Sequence, residues 1–213
     1  MSMIIEISEL SKSFGNIEVL KNITVSFERG KIHGLIGRNG SGKTMLLKCI
    51  CGMIPVTNGT IKVDGKLIGK DVDIPDNIGI IIETPGFLPE YSAFSNLRFL
   101  ADINAKISNE RIKNAISKVG LKPDDKKRVG KYSLGMRQRL GLAQALMEDP
   151  KLLILDEPMN GLDKDGVKDM RKYLLELREN GKTILIASHS AEDIDVLCDD
   201  VYEMDKGLLK RQR

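Results

Sequence analysis

The sequence contains no tryptophan, few aromatic residues and only three cysteines. Aromatic residues make up 4% of the chain, whereas 41% of the residues are hydrophobic and 30% are charged. This is the composition of an ordinary globular domain with enough apolar material for a core, so wholesale disorder and a fibrous chain are excluded. The 213 residues correspond to one compact domain, with or without an inserted subdomain, rather than to two large independent domains.

Long hydrophobic runs are also missing from the sequence. No apolar run approaches the roughly 20 residues that a membrane-spanning helix needs. The longest, at 78–82 and 152–155, have the length of buried strands. The N-terminal segment has neither a basic region nor a long apolar stretch. We therefore expect no secretory signal, no membrane crossing by this polypeptide and a location inside the cell.

The sequence also lacks cysteines at the usual metal-binding spacing and a strong excess of one charge. Cys49 and Cys51 lie one residue apart, which is too close for the usual C-x₂-C metal pair, so we expect buried reduced thiols. The net charge is +3 at pH 7, with both signs spread along the chain, which is too weak a bias to indicate nucleic-acid binding. The short basic clusters at 126–128 and 210–211 are expected to be solvated faces.

The first third of the chain has the alternating pattern of β strands. Strands are predicted at 4–7, 23–27 and 60–68, and the last of them turns at Asp64-Gly65, a strong hairpin signal. Because hairpins join antiparallel strands, we expect an antiparallel sheet in this part of the molecule.

A glycine-rich loop joins an apolar strand predicted at 31–36 to a helix predicted at 45–50. The loop fits the pattern G-x-x-x-x-G-K-[ST]. Its glycines let backbone N–H groups turn inward around phosphate oxygens, and the helix N-terminus adds its positive dipole. Lys43 would reach the β- and γ-phosphates, and Thr44 would place a hydroxyl on Mg²⁺. The predicted nucleotide-binding residues of this loop are Gly37, Arg38, Asn39, Gly40, Ser41, Gly42, Lys43 and Thr44.

Helical spacing dominates from about residue 92 to residue 147. The apolar positions within 112–119 share one face and Gly120 is a plausible C-terminal stop, so we interpret this segment as a helical insert. After it, strands predicted at 152–155 and 183–187 flank another helix. This β-α-β unit predicts a parallel central sheet.

Two carboxylates follow the strand at 152–155. Ligands of open α/β sheets bind at the carboxyl ends of the strands, where these side chains would lie. Asp156 would hold Mg²⁺, directly or through water. Glu157 would stand near the γ-phosphate, where a carboxylate orients and deprotonates an attacking water. A helix N-cap is the alternative explanation for this pair taken alone.

Together with four further segments, these motifs resemble those of the ATP-binding-cassette (ABC) ATPases over almost the whole chain. The segment Tyr-Ser-Leu-Gly-Met at 132–136 is similar to the family signature Leu-Ser-Gly-Gly-Gln and keeps its serine and second glycine, whereas three of five positions differ. The resemblance implies that Ser133 and Gly135 bind the nucleotide held by a second subunit. A merely N-capped helix is the alternative.

Three other residues occupy positions that the family uses in its nucleotide site. His189 resembles the switch histidine, which contacts the γ-phosphate. Asp163 lies in a segment similar to the D-loop, which crosses to the partner subunit, and it also has the pattern of a helix N-cap. Phe14 stands where the family places an aromatic ring against the adenine. The second histidine, His33, is expected to be a packed structural residue.

Glu83 departs from the family pattern, because the corresponding strand usually ends in glutamine. That glutamine contacts Mg²⁺ or the attacking water and links the site to the membrane subunit. A carboxylate adds negative charge beside Asp156 and Glu157, which either tightens metal binding or slows turnover. Both outcomes stay open, and Glu83 is a candidate catalytic and metal-binding residue.

The resemblance implies an α/β P-loop NTPase with a mainly parallel central sheet, an N-terminal antiparallel β subdomain and an inserted α-helical subdomain. The core and β subdomain would comprise about 1–90 and 150–213, and the helical subdomain about 91–149, within a single ABC ATPase domain spanning 1–213. It implies ATP and Mg²⁺ as ligands and ATP hydrolysis by a head-to-tail homodimer or heterodimer. A separate transmembrane permease would hold the protein at the inner face of the cell membrane, and no nucleic acid is expected as a partner.

The altered signature, the glutamate at position 83 and the short single cassette are similar to bacterial exporters of peptides or peptide antibiotics. An apolar loop at 85–89 leads into the helical insert, where the family docks its permease. One alternative is a soluble ABC-type regulatory ATPase acting on ribosomes or DNA, although such relatives carry two cassettes or a long coiled coil. Another is a different P-loop enzyme, a kinase or GTPase, which leaves the signature-like segment unexplained. The substrate and the direction of transport stay open.

Overall fold

The computed structural model describes residues 2–83, 86–104 and 107–213. The strands in these ranges are β1 (Met3–Phe14), β2 (Ile17–Glu28), β3 (Ile32–Ile36), β4 (Asn58–Val63), β5 (Lys66–Leu67), β6 (Ile78–Ile81), β7 (Leu152–Asp156), β8 (Thr183–Ala187), β9 (Asp200–Asp205) and β10 (Leu208–Arg211). The α-helices are α1 (Lys43–Ile50), α2 (Ala93–Asn104), α3 (Asn109–Lys118), α4 (Leu134–Leu146), α5 (Lys164–Glu179) and α6 (Ala191–Leu197). Within the described ranges, no helix has the length and apolarity needed to cross a membrane.

The N-terminal sheet has the strand order β2-β1-β4-β5, and its neighbouring strands are antiparallel. The turn between β4 and β5 is made by Asp64 and Gly65, whose φ angles are +50° and +81°. Two residues with positive φ form the turn that matches the twist of paired strands. The predicted antiparallel sheet and its hairpin are therefore confirmed.

The central sheet has the order β10-β9-β3-β8-β7-β6. Neighbours from β9 to β6 are parallel, and only the edge strand β10 runs antiparallel to its neighbour among the described strands. The parallel arrangement is as predicted, because each crossover from one strand to the next passes through a helix. The hairpin of β9 and β10 and the helix α6 had no sequence prediction.

Helix α1 lies between the two sheets, and its buried side chains belong to the core that those sheets share. Strand β7 divides the molecule into two cores, since its side chains alternate between faces. Leu152 and Ile154 face α1, whereas Leu153 and Leu155 face the core built with α4 and α5. This burial on both faces explains why β7 is a continuous apolar run.

The segment after β6 is helical, as predicted. It contains α2, α3, a 3₁₀ helix at Val129–Lys131 and α4. Helix α3 begins after Ser108, whose side chain accepts a hydrogen bond from the Arg111 backbone, and Gly120 follows its C-terminal end with a φ of +76°. Gly120 therefore marks the C-terminal end of α3 as predicted, whereas the cap at Ser108 had no sequence prediction.

The cysteines and His33 are buried, as expected. Burial raises the pKa of Cys49 to about 11, and it raises the pKa of Cys51 and of Cys198 to about 12, so all three thiols stay protonated at neutral pH. His33 is 1% exposed, its Nε2 atom lies 2.8 Å from the Glu28 carbonyl, and burial lowers its pKa. These residues are structural.

Candidate active site

The phosphate loop connects the end of β3 to the start of α1. Gly37 has a φ of +143°, and a Cβ at this position would lie 2.2 Å from the Met204 carbonyl oxygen, so no larger residue fits. Gly42, with a φ of +115°, precedes α1, and no side chain caps that helix. The positive end of the helix dipole is thus available to an anion.

Lys43 is 7% exposed and points back along its own loop. Its Nζ atom donates to the Gly37 carbonyl at 2.7 Å and to the Arg38 carbonyl at 3.3 Å. Beside it lies a cavity of about 410 Å³, which is lined by the loop and by Asp156 and Glu157. The predicted loop and the predicted carboxylates therefore meet at one cavity.

Thr44 and Asp156 form a hydrogen-bonded pair across this cavity. The Thr44 hydroxyl lies 2.6 Å from the Asp156 carboxylate, although the two residues are 112 positions apart in sequence. Burial raises the pKa of Asp156, and the hydrogen bond from Thr44 opposes that rise. A half-buried carboxylate beside a hydroxyl is the kind of oxygen donor set that suits Mg²⁺.

These two residues fit Mg²⁺ as part of a larger set of ligands. Among the described residues, no group of three His, Cys, Asp or Glu side chains could hold a metal by itself. Mg²⁺ commonly takes one or two protein oxygens and completes its octahedron with phosphates and water. The donor set of Thr44 and Asp156 is therefore suited to a metal that arrives with a phosphate ligand.

Glu157 and His189 form a second pair at the ends of adjacent parallel strands. Their Oε2 and Nδ1 atoms are 2.8 Å apart, and the Glu157 backbone N–H donates to the Ala187 carbonyl at 2.9 Å. Glu157 has a φ of +50°, an uncommon value for a residue with a side chain. Such backbone strain is concentrated at functional sites. The structure thus brings the predicted carboxylate and histidine together.

Glu83 lies just after β6 and forms an ion pair that the sequence did not indicate. Its Oε1 atom is 2.5 Å from Nζ of Lys48, which lies one turn beyond Thr44 on α1. The Glu83 side chain is 65% exposed. Spacing within α1 could have drawn attention to Lys48, but nothing in the sequence linked it to β6.

The signature-like segment lies elsewhere, at the start of α4. Ser133 caps this helix by accepting a hydrogen bond from the Met136 N–H at 3.2 Å. Gly135 is packed so closely that a Cβ would lie 2.6 Å from the Gly161 carbonyl oxygen. Neither Ser133 nor Gly135 lines the phosphate-loop cavity.

The segment that resembles a D-loop contacts the signature-like segment. Asp163 caps α5 by accepting a hydrogen bond from Gly166 N–H at 2.9 Å, which confirms the predicted N-cap. Leu134 packs against Gly161, two residues before that cap. Asp163 is exposed and lies outside the phosphate-loop cavity, as Ser133 does.

Phe14 is at the exposed end of β1. Its side chain is 49% exposed, and the Lys12 ammonium group lies 4.6 Å from the ring centroid. The ring is therefore accessible to a ligand and is accompanied by a positive charge. It does not line the phosphate-loop cavity.

Comparison with known proteins connects this arrangement to one family. The sequence profile described as "ABC transporter" matches residues 20–160. The chain is 46% identical over 206 residues to an uncharacterized ABC transporter ATP-binding protein, YybJ of Bacillus subtilis, covering 97% of this chain and 94% of that protein. It is 43% identical to the bacitracin transport ATP-binding protein BcrA of Bacillus licheniformis, covering 98% of this chain and 69% of BcrA.

A solved structure gives the same result for the fold. The structure of cbiO1 from Clostridium perfringens, part of the ABC transporter complex cbiONQ, superposes with a TM-score of 0.85 and 30% sequence identity. The superposition covers 99% of this chain and 88% of cbiO1. Similarity in sequence and in fold thus extends over nearly all of the chain.

Proposed function

The chain belongs to the family of ABC transporter ATP-binding subunits, which hydrolyse ATP to power transport, and from this premise we propose that it drives export of a peptide antibiotic. Its similarity to a bacitracin transport protein supports this substrate class. The glutamate at position 83 and the altered signature, both noted from the sequence, support it as well. Membership in a transporter family disfavours the alternative of a regulatory ATPase acting on ribosomes or DNA.

The observation that carries the proposed chemistry is the position of Glu157, which lines the phosphate-loop cavity beside Asp156 and pairs with His189 of the neighbouring cavity. Glu157 would accept a proton from the attacking water, and His189 would hold that carboxylate in place and contact the γ-phosphate. Lys43 and the loop N–H groups would neutralise the charge that develops on the phosphate oxygens. Lys43 and Glu157 line the phosphate-loop cavity, whereas His189 lines a second cavity that shares Glu157 with the first.

Thr44 and Asp156 would hold Mg²⁺, with Glu83 as an additional candidate. When bound, Mg²⁺ polarises phosphoryl oxygens and offsets their negative charge. The hydrogen bond between Thr44 and Asp156 keeps both oxygens oriented toward the cavity. Glu83 is the third carboxylate of this region. Its ion pair with Lys48 offsets its negative charge.

We propose that the complete site forms between two subunits paired head to tail. The phosphate loop of one subunit would face the signature-like segment of the other, either in a homodimer or in a heterodimer. Exposure of Ser133 and Leu134 at the N-terminus of α4 supports this pairing, because these groups lie outside the phosphate-loop cavity of their own chain. Asp163 would lie at the same interface.

A permease would dock on the exposed apolar face that opens the helical insert. Leu88, Tyr91, Phe99 and Ile103 are 50%, 45%, 44% and 78% exposed, and the rings of Tyr91 and Phe99 are 5.0 Å apart. Large exposed apolar groups favour a protein partner. The predicted docking loop 85–89 lies partly outside the described residues, which omit position 85.

A basic segment runs beside this apolar face, because Val129 N–H donates to the Tyr91 carbonyl at 2.8 Å. Its cations are exposed and form no ion pair within the described ranges; they are Lys126, Lys127, Arg128 and Lys131. We therefore propose that the docking segment of the permease carries acidic side chains. Such docking would hold the protein at the inner face of the membrane.

The test is light scattering of the Glu157→Gln protein with and without ATP and Mg²⁺. The variant should bind ATP, hydrolyse it at least about 100-fold more slowly and shift from monomer to dimer, because only the proton acceptor is lost. The same variant carrying Lys43→Ala is the control and should stay monomeric. ATP binding without a dimer would favour a heterodimer, and unchanged turnover would remove Glu157 from its role.

A further inference from the structure

A buried ion pair ties α5 to the turn that carries His189. Asp193, on α6, is 3% exposed. Its Oδ1 atom receives two contacts from the Arg171 guanidinium, at 2.8 Å from Nε and 2.5 Å from Nη2. Arg171 also donates to Glu192 at 2.7 Å. The hydrogen bonds that Arg171 donates, first to Glu192 and then to Asp193, raise the pKa of Arg171. This fork fixes the position of Asp193.

The second oxygen of Asp193 reaches Ser188 on one side of His189, and the backbone N–H of Asp193 reaches Ser190 on the other. Ser188 is 2% exposed, and its hydroxyl lies 3.4 Å from Oδ2 of Asp193. The same hydroxyl accepts a hydrogen bond from Ser190 N–H at 3.1 Å, and the Ser190 side chain accepts one from Asp193 N–H at 3.3 Å. The turn 188–190 is thus tied to the ion pair on both sides of the histidine.

A neighbouring ion pair has the same form without these connections. Arg178 lies two turns further along α5 and contacts Asp199, which follows α6, at 3.0 Å. Their side chains are 27% and 31% exposed, and neither contacts Ser188 or Ser190. Among the described residues, two arginine–aspartate pairs thus join α5 to the α6 region, and only the buried one reaches the His189 turn.

Burying an ion pair contributes little net stability, because the cost of removing two charges from water offsets their attraction. The buried pair instead fixes the position of the turn 188–190. We propose that Arg171 and Asp193 are positioning residues that hold the turn 188–190 so that Nδ1 of His189 meets Glu157. The proposal rests on the proposed function only for the part that His189 plays in turnover.

The chain offers a direct measurement, because it contains only two histidines. Imidazole nitrogen resonances of selectively labelled protein should show one set for buried His33 and one for His189. In Asp193→Asn and in Arg171→Met, the His189 set should shift or broaden, whereas the His33 set should not change. Arg178→Met, the matched control, should leave both sets in place.

Turnover gives the second readout. Asp193→Asn should lower kcat about tenfold and leave the KM for ATP within about twofold, since the phosphate loop is untouched. Arg171→Lys should restore part of the loss in Arg171→Met, because lysine keeps the charge but not the planar fork. Arg178→Met should keep wild-type kcat. If the Asp193 and Arg171 variants fold poorly, Ser188→Ala removes the link to the turn and keeps the ion pair.

The outcomes distinguish the positioning role of Arg171 and Asp193 from the proposed part of His189 in turnover. Unchanged His189 resonances in Asp193→Asn and in Ser188→Ala would overturn the positioning role. Shifted resonances together with the same kcat loss in Arg178→Met would also overturn it, because the effect would then be general destabilisation. Shifted resonances with normal turnover in His189→Ala would retain the positioning role and remove His189 from the proposed chemistry.

Discussion

The phosphate-loop end and the signature-like end of this molecule differ in how far their polar groups are engaged within the chain. At the phosphate loop, Lys43 is buried and Asp156 receives the Thr44 hydroxyl at 2.6 Å. At the start of α4, Ser133 is exposed and Leu134 is 51% exposed. At the phosphate loop the fold brings the polar side chains together, whereas at the start of α4 the side chains face outward.

The difference teaches that the two halves of the proposed nucleotide site are built in different ways. The phosphate loop is built by contacts between strands far apart in sequence, so it is complete when the chain folds. The start of α4 is built by a local helix cap, which satisfies one N–H and leaves the rest of the helix terminus to a ligand. We expect changes in the phosphate loop itself to affect binding, and changes at the start of α4 to affect turnover.

The largest effect on ATP binding should come from Lys43→Ala. Loss of a charged donor to the phosphates should lower the ATP affinity about 100-fold, because hydrogen bonds to charged groups contribute roughly 1.5–3 kcal/mol each. Isothermal titration would measure the change. Lys62→Ala, at an exposed lysine of β4, should bind ATP normally. Wild-type affinity in Lys43→Ala would contradict the phosphate-loop assignment.

Ser133→Ala should separate turnover from binding. The chain supplies a matched control in Ser108, which caps α3 by the same 3.2 Å hydrogen bond to the third residue beyond it. Both alanine variants should lose about 1 kcal/mol of stability with the loss of a cap. Only Ser133→Ala should also lower turnover, by about tenfold, with ATP binding by the monomer unchanged. Equal turnover in the two variants would remove Ser133 from the site.

Asp156→Asn should raise the melting temperature of the nucleotide-free protein, at about 2–4 °C for each kcal/mol of stability gained in a protein of this size. Burial raises the pKa of Asp156, so the folded protein holds this proton more tightly than the unfolded chain and loses stability as the pH rises through that pKa. The gain of the variant should therefore be present at pH 7 and vanish below the ordinary pKa of 3.8. A gain that does not depend on pH would contradict this cause.

Glu83→Gln should have the smallest effect. The Glu83 side chain is exposed and paired with Lys48, and such pairs contribute at most about 1 kcal/mol. Removing one carboxylate near the metal ligands should raise the Mg²⁺ concentration for half-maximal turnover by about twofold. Lys48→Met should change it in the opposite direction. If turnover depends on the Mg²⁺ concentration in the same way in both variants and the wild type, the glutamate at this position has no effect on turnover.

Sequence reasoning succeeded where the signal was local. The phosphate loop and the cap at Asp163 each depend on a few consecutive residues, and each has the predicted position. Ser133 caps α4, which was the alternative explanation for that residue. Strand β7 was recognised because burial on both faces leaves a continuous apolar run. The roles of Glu157 and His189 in turnover stay predictions, and the 2.8 Å contact between their side chains had no sequence prediction.

The features without a prediction depend on contacts between distant segments. The pair of Lys48 with Glu83 joins α1 to the end of β6, and the pair of Arg171 with Asp193 joins α5 to α6. Charged residues at such positions have the same sequence pattern as solvated surface residues. The hairpin of β9 and β10 was missed because its short strands lack a long apolar run.

The support of the phosphate loop by β9 and its turn has a consequence for synthesis of the protein. Gly37 packs on the Met204 carbonyl, and Gly207 N–H donates to the Ser41 carbonyl at 3.0 Å. The ribosome makes the loop early but makes these supporting residues only after nearly all of the central sheet. A nascent chain that stops before β9 should therefore hold every phosphate-binding residue and still bind nucleotide poorly.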